Sequence, residues 1–311
     1  MSTPSNQKTG VVLMTYGSAT TAENVPAYFE SIYKGKASAE LIADFTERYR
    51  IVGGSPLVRI TTEQAALLEK RLGQDYVVRA GMRHSAPTID EAIAQCRSEG
   101  ATRLIGIILS PQFSSYIMEG YRTAFATSAQ VHGFADGNAV VAGPWPNEEH
   151  FISLLAERVQ KSMAELRSIY GRDIPIVFTT HSLPQRVVET DPQYLTQIAA
   201  TIEAVRAKIG PGISTYAGYQ SAGHTPEAWL NPDLTDILSE IAQEKSPAVL
   251  IVPIQFLADH LEILYDLDVA GREQCVERGI DYHRIELPNS HPLFIESLAA
   301  TTHACLFSLA S

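Results

Sequence analysis

The strongest constraint on this chain's fold is an alternation of short apolar runs with longer amphipathic stretches along its whole length. Runs suited to strands fall at 11–14, 76–80, 104–109 and 139–142, and a second series falls at 174–179, 214–218, 248–254 and 282–287. Helical patterns lie between them, among them 61–72, 89–97, 149–169, 192–209 and 232–243. Strands alternating with helices specify parallel βαβ units. The runs divide four and four about the long 149–169 pattern, so two halves of similar architecture are predicted, 1–148 and 149–311. No obvious sequence identity links them. A length of 311 residues agrees with two domains and a substantial core.

Open α/β sheets bind ligands at the carboxyl ends of their strands, so the residues there carry the functional argument. The stretch 174–179 runs into Thr180-His181-Ser182-Leu183-Pro184, which puts an imidazole at a strand end. The apolar run at 248–254 leads into Ala258-Asp259-His260-Leu261-Glu262. His181 and Glu262 facing each other across one cleft would suit a divalent metal or proton transfer. Each is commonplace alone, as a hydrogen-bonded histidine or a helix-start carboxylate. Asp266 follows Glu262 at i+4, so both acids are expected on one helix face. The first strand ends in Met14-Thr15-Tyr16-Gly17-Ser18, which places Tyr16 at another carboxyl edge, where a tyrosine can equally be a lid on the core.

The formal charge of −11 argues against nucleic acid as a partner and offers no long-range attraction to an anion. An anionic substrate must therefore meet a local basic patch. The segment 33–59 is the candidate: Lys34, Lys36, Arg48, Arg50 and Arg59 outweigh Glu40, Asp44 and Glu47. Arg48-Tyr49 followed by Gly53-Gly54-Ser55 offers a guanidinium fork, a phenol, a hydroxyl and amides, a set suited to carboxylates. It lacks the spacing of a phosphate loop. A polar N-terminus (1–10) and the lack of any apolar run near the ~20 residues of a membrane helix lead to the expectation of a cytoplasmic protein without an integral membrane segment. Cys96, Cys275 and Cys305 are isolated, so neither a disulfide framework nor a zinc or iron–sulfur site is expected.

Taken together, Thr180 to Pro184, Phe256 to Asp266, and Gln220-Ser221 with Trp229-Leu230 resemble the ferrochelatases, over nearly the whole chain from Val11 to about Ala299. The resemblance implies two Rossmann-like lobes, each a four-stranded parallel sheet flanked by helices, with a porphyrin cleft between them into which Fe²⁺ is inserted. It implies His181 and Glu262 as the paired metal-handling and proton-accepting groups. Tyr16 in Met-Thr-Tyr-Gly is similar to the monofunctional Gram-positive type, in which the tyrosine ligates the product iron and the substrate is coproporphyrin III. Arg48, Tyr49, Ser55 and Tyr121 match positions that hold its propionates.

The chain departs from the family pattern at Tyr33, where relatives commonly have arginine, in its shortened Gly-Gly-Ser turn, and at Ala270, where an acidic row usually continues. No cysteine cluster for an iron–sulfur centre is present, so iron is expected as substrate, with no tightly bound cofactor. A monomer with transient contacts to neighbouring haem-pathway enzymes is also implied. The readings that remain open on residues alone are a protoporphyrin IX ferrochelatase, a cobalt or nickel tetrapyrrole chelatase, a non-enzymatic haem carrier and, more remotely, a two-lobed solute-binding protein.

Overall fold

The computed structural model describes residues 8–135, 137–223 and 226–309. Residues 1–7, 136, 224–225 and 310–311 lie outside the described residues. All eight expected strands form. β1 (Lys8–Thr15), β2 (Tyr76–Met82), β3 (Ala101–Ile108) and β4 (Ala139–Val141) make one parallel sheet in the order β2-β1-β3-β4. β5 (Ile176–His181), β6 (Thr215–Gln220), β7 (Ala248–Pro253) and β8 (Asp281–Arg284) make a second in the order β6-β5-β7-β8. The two orders are the same, so the repeat of architecture is real. In each sheet the chain steps outward from its first strand on one side, then crosses to the other. The carboxyl ends of β1 and β5 are therefore the two topological switch points, where such sheets open a crevice.

The helices are α1 (Val25–Tyr33), α2 (Ala39–Val52), α3 (Leu57–Leu72), α4 (Ile89–Ser98), α5 (Ser115–Val131), α6 (Glu149–Tyr170), α7 (Gln185–Thr190), α8 (Gln193–Ile209), α9 (Leu234–Gln243), α10 (Arg272–Glu277) and α11 (Pro292–Leu309). Local chemistry sets several ends. Thr88 and Glu91 form a reciprocal capping box at the start of α4, and Ser38 caps α2 by accepting from the Leu41 N–H. The turn after α2 needs two glycines. Gly53 is left-handed (φ 76°), and a Cβ on Gly54 (φ 99°) would stand 2.3 Å from the Thr20 carbonyl oxygen. That close approach docks the α2–α3 turn beside the loop leaving β1.

Residue 148, the expected division, is the N-cap of α6, where the Glu148 carboxylate accepts from the Phe151 N–H. The hydrophobic core, however, runs through both halves. One buried cluster contains Val11, Leu13 and Ile105 of the first sheet together with Ile176, Phe178 and Leu250 of the second. It also contains Phe294 and Leu298 of α11, which comes from the end of the chain and lies against both α6 and α3. Rotating one lobe against the other would expose this core. Replacing the fully buried Leu298 by Ala should cost about 2–5 kcal/mol, read as a lowered urea midpoint. A shift worth less than ~1 kcal/mol would mean that the site repacks and α11 is no staple.

The segment after β7 departs from expectation. An ordinary helix was expected through Glu262 and Asp266, but Glu262–Gly271 is wound as a π-helix. Its wider i→i+5 winding is rare and has poor intrinsic stability, so surrounding contacts must hold it. Leu261 and Tyr265 supply some of these by packing against Val25, Phe29 and Tyr49 of the first lobe.

Candidate functional site

The two switch points and the π-helix converge on one cleft. His181 is the last residue of β5. Its N–H donates to Gln255 Oε1 (2.9 Å), and its carbonyl accepts from the buried Tyr194 hydroxyl (2.9 Å). Its ring Nδ1 lies 2.5 Å from the Ser182 carbonyl, which can only accept, so Nδ1 carries the proton. Nε2 is left to face Glu262 Oε2 at 3.6 Å. A second imidazole repeats this geometry: His260 Nδ1 donates to the Ala258 carbonyl (2.9 Å), and its Nε2 stands 3.8 Å from the same Glu262 oxygen. His260 belonged to the sequence motif but was given no role. The signal was its position two residues before Glu262, opposite a strand-end histidine.

The electrostatics follow from this packing. Burial by itself would raise the Glu262 pKa. The His181 charge and the hydrogen bond and charge of His260 overcome it and hold the carboxyl down to about 2. Burial opposes protonation of His260, but Glu262, the Ala258 carbonyl and Asp266 raise its pKa above the ordinary 6.5. Asp266 behaves oppositely to Glu262. Burial and the Glu262 charge raise its pKa, against the Ser221 hydroxyl (2.5 Å) and Arg48 (3.8 Å). The two acids on the π-helix thus have different proton affinities.

Tyr16 follows β1 at the other switch point and is 40% exposed. Its ring lies against His84 (centroids 4.5 Å apart) and beneath the Arg83 guanidinium (5.6 Å). Burial raises its phenol pKa while Arg83 lowers it; Tyr33, Glu262 and Tyr116 also raise it. Tyr16 and Glu262 therefore share one electrostatic environment across the cleft. Arg83 also stacks on Tyr121 (5.1 Å), and it went unremarked in the sequence. The available signal was Arg83-His84 directly after the second strand, again at a carboxyl edge.

The structure does not gather the residues matched to propionate binding into one exposed set. Arg48 is half-buried between the Phe45 and Tyr265 rings and pairs with Asp44 (2.8 Å) as well as facing Asp266. Tyr49 is 2% exposed, with its hydroxyl 2.7 Å from Ser18 Oγ. Ser55 is buried and docked on Thr20 through its N–H, and Tyr121 is 5% exposed, with burial pushing its phenol pKa up. Those three stand behind the surface that carries Tyr16, Arg83 and Arg48. Two hollows elsewhere, of about 430 Å³ beside Arg122 and Phe134 and about 330 Å³ beside Ser162 and His283, touch neither His181 nor Tyr16.

Among the described residues no group of three or more His, Cys, Asp or Glu side chains is arranged to hold a metal ion. Glu262 and its two imidazoles form instead a compact set of ionisable groups around one carboxylate oxygen. Two parallel switch-point sheets with such a set between them define a chelatase-type fold. Solved chelatases share it: SirB from Bacillus subtilis with Fe³⁺ has a TM-score of 0.56 at 13% identity, covering 96% of this chain and 95% of that one. CbiX, described as the terminal enzyme of sirohaem biosynthesis in denitrifying bacteria, gives 0.55 at 12%, covering 96% and 99%. At such identities they speak to fold alone.

The ferrochelatase family model matches residues 8–305, and the chain belongs to that family. Its members are metal-inserting chelatases, a class of lyase. A coproporphyrin III ferrochelatase of Geobacillus sp. (strain WCH70) is 35% identical over 303 residues, covering 94% of this chain and 96% of its own. That of Bacillus subtilis (strain 168) is 32% identical over 304 residues, covering 95% and 97%. Among the described residues no helix is long and apolar enough to cross a membrane.

The His260–Glu262 coupling can be tested directly. A depressed carboxyl favours the folded, ionised state at pH above its ordinary value and loses that advantage as pH falls toward 2; a raised imidazole does so below 6.5 and loses it as pH climbs through its higher folded value. In His260→Gln the cation is gone, so the Glu262 carboxyl should titrate upward toward 4.5, read by the infrared carboxylate band. A titration still near 2 would assign the whole effect to His181.

Proposed function

We propose that this protein is a coproporphyrin III ferrochelatase, which inserts Fe²⁺ into coproporphyrin III and releases two pyrrole protons. The observation that carries the reading is that one Glu262 oxygen lies 3.6 and 3.8 Å from two imidazole Nε2 atoms whose Nδ1 protons are already committed to carbonyls. A carboxylate and two lone pairs repel unless a proton or a metal cation stands among them. The relatives named above, matched over nearly the full length of both chains, supply the substrate class.

The proton affinities divide the work. Glu262, kept ionised by its imidazole neighbours, acts through its charge and as an oxygen ligand to Fe²⁺. The His181 Nε2 lone pair is the base and the nitrogen ligand, and imidazole suits ferrous iron. Asp266, with its raised pKa, is the better acceptor for a proton leaving along the π-helix. Arg83 and Arg48 supply positive charge at the cleft for propionates, in a molecule otherwise strongly acidic. Tyr49, Ser55 and Tyr121 complete that anchoring by shaping the wall behind it. Tyr16 ligates the product iron from the lobe opposite His181.

The protein works as a cytoplasmic monomer, handing product on through transient contacts. It carries no resident cofactor or iron–sulfur cluster. The chemistry of the thiols supports this last point: Cys96, Cys275 and Cys305 are buried on three different helices, with Cys96 pushed up to about 12 and Cys275 to about 11.

Anaerobic Fe²⁺ insertion into coproporphyrin III and protoporphyrin IX, compared side by side, tests the substrate. Two additional carboxylate anchors, each worth roughly 1.5–3 kcal/mol, should give coproporphyrin III a kcat/KM higher by well over tenfold. Equal efficiency would overturn the substrate assignment. In Tyr16→Phe the ring stays but the oxygen goes. The ferric product complex should then lose its phenolate-to-iron charge-transfer absorption and dissociate faster. An unchanged spectrum with porphyrin still bound would mean that another residue is the ligand.

A further inference from the structure

Arg284, the last residue of β8, is far from the cleft in sequence yet bears on the segment that carries Glu262. Its Nε and one terminal nitrogen fork onto the two oxygens of Asp268 at 2.8 and 2.7 Å. The same terminal nitrogen lies 3.6 Å from Asp259 Oδ1, and the other donates to the Ile285 carbonyl (2.9 Å). The side chain is only 13% exposed. Asp259 lies three residues before Glu262 and Asp268 six after it. A single guanidinium therefore holds both ends of the stretch that presents the metal-handling carboxylate.

The surroundings show what that guanidinium balances. Asp259 Oδ1 is buried and accepts no hydrogen bond, so the Arg284 charge is what offsets it. Asp259 is fastened on its other side: its N–H donates to Asn289 Oδ1 (2.9 Å), and Asn289 Nδ2 donates to Asp259 Oδ2 (2.8 Å). The Asn289 carbonyl in turn accepts from Gln64 Nε2 of α3 (2.8 Å), a fully buried side chain of the first lobe. The Tyr282 hydroxyl adds a bond to Asp268 (3.1 Å). The result is a polar chain from the first lobe through Asn289, Asp259 and Arg284 to the π-helix.

We propose that Arg284 is a positioning residue for iron handling, clamping Asp259 and Asp268 so that the π-wound segment between them holds Glu262 against His181 and His260. This rests on the reading of Glu262 as the iron-handling carboxylate. Without the guanidinium, two half-buried carboxylates stand unpaired beside a segment that already carries Glu262 and Asp266, and their repulsion loosens a winding with little stability of its own. Lysine is a poor substitute, because a compact ammonium cannot fork one carboxylate while neutralising another.

The test uses the full chain as Arg284→Met and Arg284→Lys, with anaerobic initial rates measured first against Fe²⁺ and then against coproporphyrin III. Support partners of metal ligands typically matter by about 10–100-fold. The KM for Fe²⁺ should rise by that order in Arg284→Met and by less in Arg284→Lys, with the porphyrin KM and the porphyrin fluorescence titration unchanged. Should Arg284→Met fail to fold, the lysine variant must show the same selective rise. Unchanged iron KM in the folded variants, full rescue by lysine, or an equal loss for both substrates overturns the proposal. Glu262→Gln, assayed alongside, separates the two readings. If it is fully active, the assignment of Glu262 falls; if it is inactive while the Arg284 variants are normal, only the clamp falls.

Discussion

A carboxylate kept ionised between two imidazoles is the interaction on which the rest of this molecule turns. Left to burial alone, Glu262 would prefer to be neutral, and a neutral acid neither attracts Fe²⁺ nor leaves room for a departing proton. The charges of His181 and His260 prevent this, and backbone carbonyls aim the two rings. Ser182 and Ala258 each engage an Nδ1 proton, which turns both Nε2 atoms toward the same oxygen. Neither ring can swing away without breaking that bond, and His181 is further held through Gln255 and Tyr194 at its backbone. The site is thus a mutually stabilised set, in which the imidazoles keep Glu262 ionised and Glu262 favours the charged form of His260.

Such a site needs stiff walls. Two sheets of identical strand order place their switch points at β1 and β5, so Tyr16 and His181 occupy equivalent positions in the two lobes. The lobes do not behave as separate bodies, because one hydrophobic cluster spans both sheets and α11 is packed across them. The cap formed by α1 and α2 then closes on the π-helix through Tyr49, Phe29, Leu261 and Tyr265. Shared apolar burial sets the spacing of the cleft, and the polar chain through Asn289 and Asp259 orients what lies in it. Tyr16, Tyr33 and Tyr116 remain exposed, and the last two raise the proton affinity of the Tyr16 phenol.

Much of this was legible in the order of residues. Period and β-branching specified eight strands and their parallel pairing, since a run buried on both faces has no alternative pattern. The carboxyl-end rule then singled out Tyr16, His181 and Glu262 with no knowledge of distances. The winding of Glu262–Gly271 was not legible, because an i+4 pair of acids fits an α- and a π-helix alike. The burial of Tyr49, Ser55 and Tyr121 was hidden too: a phenol or hydroxyl in a motif does not say whether it faces a ligand or a neighbour such as Ser18.

The sequence by itself determined the class of fold and the strand ends that carry Tyr16 and His181, because these follow from periodicity, which is a property of order. Only the tertiary structure decided that His260 joins His181 on one oxygen, that Arg83 rather than a buried phenol lies over Tyr16, and that Arg284 reaches back to Asp259 and Asp268. Proton affinities and ion pairs depend on separations of a few ångströms between residues tens to hundreds of positions apart. Those separations exist only once both sheets have packed on their common core.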